Sequence, residues 1–181
     1  MVYFPTNWIT SRRTGNHRLF LDWELAIPFV PSMIYVYASL LVLMLLPAFT
    51  LTRAQLSALA RAQVVTLFVA ALIFLLLPTE LGFERPQHVP GYDTAFQLLY
   101  AFELPHNLVP SLHIASSTLF IAAIRNSLPS SWSRAGLILW GMLLCVSVLL
   151  VQQHHILDVI CGLLLGYLIY RLVYLHSIHK C

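Results

Sequence analysis

Charge is the scarcest property of this sequence. Asp, Glu, Lys and Arg make up 9% of its 181 residues, whereas soluble domains carry about 25%. This scarcity goes with a mean hydropathy of +0.80 and several long uncharged runs. The composition excludes an ordinary soluble domain and predicts an all-α, polytopic membrane helix bundle.

Cysteines and clustered basic residues are also few. Cys145 and Cys161 lie inside apolar runs and Cys181 is the last residue, so neither a disulfide framework nor a cysteine metal site is expected. The net charge of +3 comes from scattered arginines, which excludes the basic stripe of a nucleic-acid-binding protein. Mild basicity instead suits the anionic headgroups of membrane lipids. No internal repeat is present.

The first 24 residues lack the continuous apolar core of a signal peptide. Basic and aromatic side chains alternate there, which predicts an interfacial segment lying on lipid headgroups. A cleaved organelle-targeting sequence is the alternative, because no acidic residue precedes Asp22. We therefore divide the chain into an interfacial segment, 1–24, and a transmembrane catalytic bundle, 25–181. The residues that characterise the first segment are Arg12, Arg13, Arg18, Tyr3, Phe4, Trp8, Phe20 and Trp23.

Apolar runs predict about five transmembrane helices. A polar connector over residues 51–63, with Thr52 as an N-cap, separates the first two. The longest polar stretch, 79–109, holds a predicted membrane-surface helix that Asp93 caps and that ends near Glu103. Gly162 and Gly166 form a GxxxG pattern, which is typical of close helix packing but also arises by chance. The spans are roughly residues 27–49, 64–77, 112–124, 135–151 and 156–174.

Five spans place both histidine motifs described below on one face of the membrane. Six cations fall on the opposite face and four on the motif face, so the positive-inside rule places the motif face outside. In a bacterial inner membrane this is the periplasmic face. The six are Arg53, Arg61, Arg125, Arg134, Arg171 and Lys180, and the four are Arg12, Arg13, Arg18 and Arg85.

The segment Gln152-Gln153-His154-His155-Ile156-Leu157-Asp158 stands between two long apolar runs. Positions i and i+4 share a helix face, so Asp158 is placed to hold one ring nitrogen of His154 and leave the other free. An imidazole held in this way can act as a nucleophile or a base. An ionisable residue at this depth by default marks function, although polar residues are also ordinary at a helix end.

A second polar motif, Pro110-Ser111-Leu112-His113, begins the third apolar run. The unpaired N–H groups of a helix N-terminus favour a phosphate, and His113 is placed there to act as a general acid. Ser111 is either an N-cap or a phosphate ligand. Arg85, in Arg85-Pro86 on the same face, carries the guanidinium that suits phosphate oxygens, although a lone loop arginine is usually just solvated.

Together these motifs resemble the type 2 phosphatidic acid phosphatase superfamily. Leu in Pro110-Ser111-Leu112-His113, where the family usually has Gly, and the paired His154 and His155 are similar to the inositol phosphorylceramide synthase-like branch. The resemblance implies that His154 is the nucleophile, Asp158 its orienting partner and His113 the acid to the leaving group. It also implies that Arg85 and Ser111 hold the phosphate, with no metal or other cofactor.

Two cations of the family pattern are missing. The usual Lys seven residues before the Arg falls on Pro78, and the usual Arg six residues before the nucleophilic His falls on Val148. A pocket without them stabilises the charge of a phosphoryl-transfer transition state less strongly. We also expect the interfacial segment to take the place of the first helix of the six-span layout.

Three kinds of function remain open at this point. The first is a phosphatase that removes phosphate from a lipid phosphate or diphosphate, and the second is a transferase that passes it to another membrane lipid. The missing cations favour transfer, whereas the short chain, with little room for a second substrate, favours hydrolysis, which we prefer. The third is a non-enzymatic membrane protein, either a subunit or a metal or transport site using His106, His113, His154 and His155.

Overall fold

The computed structural model describes residues 16–178. Four of its helices are long and apolar enough to cross a membrane, and no β-strand occurs in this part of the chain. The protein is thus an all-α polytopic bundle, as predicted. The long helices are α1 (Pro31–Thr50), α2 (Arg53–Leu76), α5 (Ser131–Leu150) and α6 (Ile156–Ile178), joined by the shorter α3 (Asp93–Phe102) and α4 (Leu112–Ile124).

Helix α4 is the predicted third span, and it is the centre of the bundle. Its 13 residues extend about 20 Å, less than the roughly 30 Å of a bilayer core. Nine of the 13 are buried, because α1, α2, α5 and α6 all pack around it. Its length therefore reflects a helix enclosed by protein.

Helix α2 corrects the predicted connector over residues 51–63. Thr52 does cap it, accepting from the Gln55 backbone N–H, and the Gln55 side chain accepts from the Thr52 N–H in return. The helix therefore begins at Arg53, eleven residues before the predicted start at 64. This first part of the helix was not predicted because its exposed arginines make it resemble a polar connector. Gln63 points inward, and its amide donates to Ser116 Oγ over 2.9 Å.

Small side chains of α2 face the bundle and large ones face outward. Ala58, Ala62 and Ala70 are fully buried, whereas Phe68 and Leu72 are about 60% exposed, at 61% and 58%. In a membrane, helices associate by close packing of small residues, and the large apolar ones face lipid.

Three other bounds differ from prediction. Helix α1 begins at Pro31 rather than 27 and is interrupted near Ser39, whose hydroxyl accepts from Trp140 Nε1. Helices α5 and α6 extend beyond the predicted spans. Asp93 does not cap α3; it is the first helical residue, and its carboxylate accepts from the Val89 backbone N–H.

One end of the bundle gathers the polar loops. The start of α1 meets the end of α5, since the Val30 N–H donates to the Leu150 carbonyl. The segment before α1 meets the start of α6, because Glu24 Oε2 accepts from the Ile156 N–H over 2.8 Å. We call this the motif end, and the end that holds Arg125 the opposite end. Residues 1–15 of the predicted interfacial segment lie outside the described residues, so the two-part division stays a prediction.

Candidate active site

His113 lies in the first turn of α4. Ser111 Oγ caps this helix, accepting from the Ile114 N–H at 3.4 Å. The His113 ring packs against the Tyr37 ring, with 4.0 Å between centroids. Its Nε2 is buried without a hydrogen-bond partner in the described structure. The imidazole is therefore held by its contact with Tyr37 and leaves Nε2 for a further partner.

His154 lies just before α6 and is paired with Asp158. Its Nδ1 is 3.3 Å from Asp158 Oδ2, and the same oxygen accepts from the His155 backbone N–H over 2.7 Å. Asp158 is 2% exposed, so the pair is shielded from solvent. With Nδ1 fixed, Nε2 is the nitrogen of His154 that can meet a substrate.

Helices α4 and α6 approach closely behind these side chains. The Ser111 N–H donates to the Asp158 carbonyl over 3.0 Å, which joins the two motifs directly. A Cβ on Gly162 would lie 2.7 Å from the Ser111 carbonyl oxygen, and one on Gly166 would lie 2.4 Å from that of Ala115. The GxxxG pattern is therefore a surface at which the backbones of α4 and α6 are in contact. A larger residue at either glycine would push the two helices apart.

His113 and His154 border the same cavity, which has a volume of about 260 Å³. Five of its eleven lining residues are apolar and the other six are polar or ionisable, so the wall offers both an apolar surface and groups that can orient a ligand. The other lining residues are Leu40, Met44, Gln63, Leu67, Phe74, Glu103, Asn107, Leu112 and Ser116.

The two predicted phosphate ligands lie beside this cavity and are not among its lining residues. Arg85 donates to the Glu103 carbonyl over 2.6 Å and to Gln153 Oε1 over 2.9 Å, and its guanidinium stacks on Tyr100. Gln153 directly precedes His154 in sequence, so this hydrogen bond connects Arg85 to the segment that carries the His154 imidazole. Ser111 acts as the N-cap of α4.

His155 points away from the cavity. Its ring is stacked between Phe20 and Phe83, at centroid distances of 4.3 and 4.6 Å. Its Nε2 accepts from the Gly82 N–H over 3.2 Å, and Glu24 Oε2 lies 3.5 Å from Nδ1. Burial lowers the pKa of His155, against the opposing effects of Asp158 and Glu24. We call Phe20, Phe83, Glu24 and His155 the aromatic stack.

Several residues at the site were not predicted from the sequence. Glu103 lines the cavity and accepts from the Tyr37 hydroxyl, 66 residues away in sequence. No local sequence pattern predicts a contact between residues so far apart in the chain. The backbone before each of the two cavity histidines is unusual, since Asn107 and Gln152 have left-handed φ values of 63° and 54°. Backbone strain of this kind clusters at functional sites.

The positions of the two missing cations are apolar in the structure as well. Val148 is fully buried, and its carbonyl accepts from the backbone N–H groups of Gln153 and His154. Pro78 is buried too, and its carbonyl accepts from the His17 N–H. Neither position provides space for a charged side chain.

Two of the four histidines of the zinc alternative, His106 and His155, lie away from the cavity that His113 and His154 border. His106 Nδ1 is hydrogen-bonded to Asn16 Nδ2 at 3.2 Å, and His155 lies in the aromatic stack. Across residues 16–178, no three His, Cys, Asp or Glu side chains are grouped so that they could hold a metal ion. The arrangement gives that alternative no support.

Fold and site thus define a helical membrane protein with paired histidines at one end of the bundle. The family model of the PAP2 superfamily matches residues 59–178, which is more than half of the chain. The protein belongs to the PAP2 superfamily, whose members are phosphatases or phosphotransferases. Neither a curated protein nor a solved structure matches the sequence significantly.

Proposed function

We propose that this protein is a lipid phosphate phosphatase that works through a phosphohistidine intermediate. The observation that carries the proposal is that His113 and His154 border one cavity, with Nδ1 of His154 paired with Asp158 and Nε2 of His113 without a hydrogen-bond partner in the described structure. A nucleophile oriented by a carboxylate, opposite a second imidazole, is the arrangement that covalent phosphoryl transfer needs. The apolar part of the wall suits a lipid.

In the first step, Nε2 of neutral His154 attacks the phosphorus atom of the lipid phosphate. The bond between phosphorus and the lipid oxygen breaks, and protonated His113 gives its proton to that oxygen, so the lipid leaves as an alcohol. Asp158 stabilises the positive charge that the His154 ring acquires. In the second step, water attacks phosphorus, neutral His113 takes a proton from it, and inorganic phosphate leaves, which regenerates His154.

Phosphate binding would come from Arg85 and from the start of α4. The guanidinium of Arg85 donates to Gln153, the residue before His154, and it would bind a phosphate oxygen by exchanging that hydrogen bond. The first N–H groups of α4 follow Ser111 and carry the positive end of the helix dipole. Because Pro78 and Val148 provide no charge, Arg85 would supply most of the charge stabilisation.

A phosphotransferase related to the inositol phosphorylceramide synthase-like branch is the second candidate. It is favoured by Leu112, which lines the cavity where the usual family motif has a glycine. A leucine there makes the site more apolar, and a site with less water favours an acceptor alcohol over hydrolysis. The first step is the same in both reactions.

We further propose that the motif end faces the outside of a bacterial inner membrane. Of the Lys and Arg residues within 16–178, five lie away from the motif end and two, Arg18 and Arg85, lie with it, which supports this orientation by the positive-inside rule. Labelling of an engineered cysteine at exposed His88 by an impermeant reagent in intact cells tests this orientation. Protection of that cysteine until the cells are lysed would reverse it.

Trapping of the intermediate tests the chemistry. The full-length protein in detergent is mixed with lipid phosphate carrying labelled phosphorus and quenched at alkaline pH, where phosphohistidine survives. Label on His154, unchanged by chelator and absent from His154→Ala, is expected. Phosphate release by a protein that never becomes labelled would contradict the covalent mechanism.

The fate of the label separates the two reactions. With a lipid alcohol present, the phosphatase still releases inorganic phosphate, whereas the transferase forms a new labelled phospholipid. A lipid phosphate, a lipid diphosphate and an isoprenoid phosphate, tested in parallel, identify the substrate class.

A further inference from the structure

A second and larger cavity lies at the opposite end of the bundle. It is a groove of about 640 Å³ between α4, α5 and α6, within the range of roughly 300–1,000 Å³ that is usual for ligand sites. Its floor consists of small residues such as Ala122 and Gly141, and Leu163 and Met142 form its exposed sides. This groove opens to the lipid-facing surface of the bundle.

Two arginines stand at the outer end of the groove. Arg125 follows the last residue of α4, and Arg171 lies in a π-helical turn of α6 spanning Tyr170–Tyr174. Both are exposed, and neither forms an ion pair with a carboxylate of residues 16–178. Arg171 Nη1 donates to the Tyr167 hydroxyl, which turns the guanidinium toward the groove wall. A π turn inside an α-helix frequently marks a functional position.

The distribution of acidic residues makes this end strongly cationic. All seven Asp and Glu residues lie in the segments that form the motif end, and none follows Asp158 or lies between Glu103 and Asp158. Arg125 and Arg171 therefore have no acidic residue in their part of the chain to neutralise them. The seven acidic residues are Asp22, Glu24, Glu80, Glu84, Asp93, Glu103 and Asp158.

The dimensions of the groove match one leaflet. From Arg125 the wall follows α4 back to Ser117, which is about 12 Å of helix at 1.5 Å per residue. Half of a bilayer core is roughly 15 Å. His113 lies about 18 Å along the same helix from Arg125, so a phosphate at the arginines cannot reach the cavity of His113 and His154.

The geometry points to a binding site for one anionic phospholipid of the leaflet opposite the proposed active site. One acyl chain lies in the groove over Ala122 and Gly141, and the phosphate lies between Arg125 and Arg171. The lipid stabilises the contact of α4 with α5 and α6, and it is not a substrate. The site is independent of the reaction proposed above.

Native mass spectrometry of the purified full-length protein tests the site, with phosphatidylglycerol as probe and phosphatidylcholine as neutral reference. We expect one phosphatidylglycerol molecule to be retained in preference to phosphatidylcholine. The double variant Arg125→Gln/Arg171→Gln should lose this preference by on the order of tenfold, because each cation near a membrane surface contributes to anionic lipid binding.

Two further variants separate charge from shape. Arg53→Gln/Arg61→Gln removes the same charge from exposed positions of α2 outside the groove, and it should keep the preference. Ala122→Phe fills the groove without changing charge and should lower retention of both lipids. Thermal unfolding of each variant shows that it is folded.

Three results would overturn the proposal. The first is equal retention of phosphatidylglycerol by the Arg125→Gln/Arg171→Gln variant. The second is equally tight binding of glycerol phosphate, which has no acyl chain. The third is a dimer that Ala122→Phe dissociates, since this would assign the groove to a second copy of the chain.

Discussion

His154 and His155 are adjacent in sequence, and they belong to two different regions of the molecule. His154 borders the cavity with His113, whereas His155 is 1% exposed and stacked between Phe20 and Phe83. The chain enters this turn through the left-handed backbone of Gln152, after which successive side chains point to opposite sides. The difference shows that a paired-histidine motif can combine one side chain that borders a cavity with one that holds the loops in place.

The largest expected effect is the loss of activity when His154, the histidine at the cavity, is replaced. His154→Ala should reduce phosphate release from a lipid phosphate by at least about 1,000-fold, as expected when a covalent nucleophile is removed. Its thermal unfolding temperature should change little. His88→Ala, at a side chain that is 75% exposed, is the control. Full activity of His154→Ala would eliminate the proposed mechanism.

His113→Gln should have the next largest effect. Loss of a general acid costs roughly 100- to 10,000-fold. The loss should shrink for an aryl phosphate, whose leaving oxygen needs no proton. Steady-state rates with an alkyl and an aryl substrate measure this difference. An equal loss with both substrates would mean that His113 does not protonate the leaving group.

His155→Ala should affect stability rather than chemistry. Two aromatic contacts and one hydrogen bond are lost, which corresponds to about 2–3 kcal/mol of the free energy of unfolding. We expect a lower unfolding temperature and a change in kcat of less than about tenfold. His155→Phe keeps the stack and should recover most of the stability. A loss of activity as large as that of His154→Ala would remove the distinction between the two histidines.

The smallest expected effect is a pH dependence of stability. Burial lowers the pKa of His155 in the folded protein below its ordinary value of 6.5. As the pH falls below 6.5, the unfolded chain binds a proton before the folded one does, so this contribution to stability is present above 6.5 and is lost below it. The unfolding temperature should therefore fall less steeply between about pH 6.5 and 5 in His155→Phe than in the wild type. Identical slopes would show that His155 does not titrate in this way.

Sequence patterns predicted the features that depend on local spacing. The bundle class follows from the apolar runs, and the pairing of His154 with Asp158 follows from their four-residue separation. The first half of α2 was missed because its arginines resemble a polar loop, although its capping box starts a helix. Apolar periodicity alone could not decide between these readings.

The rest of the site depends on tertiary packing. Tyr37 lies within an apolar run and Glu103 at the end of a surface helix, and they meet across 66 residues. The His155 ring is stacked between Phe20, from the segment before α1, and Phe83, from the loop after α2. Such contacts have no periodic signal, because the elements that carry them are brought together by the fold.

The two glycines of α6 have a consequence for the paired imidazoles. Gly162 and Gly166 let α6 touch the backbone of α4 at Ser111 and Ala115, so the separation of the helices that carry His154 and His113 is set there. A single added methyl group below the cavity would wedge these helices apart. The distance between the two imidazoles thus depends on two positions deeper in the bundle where α6 has no side chain.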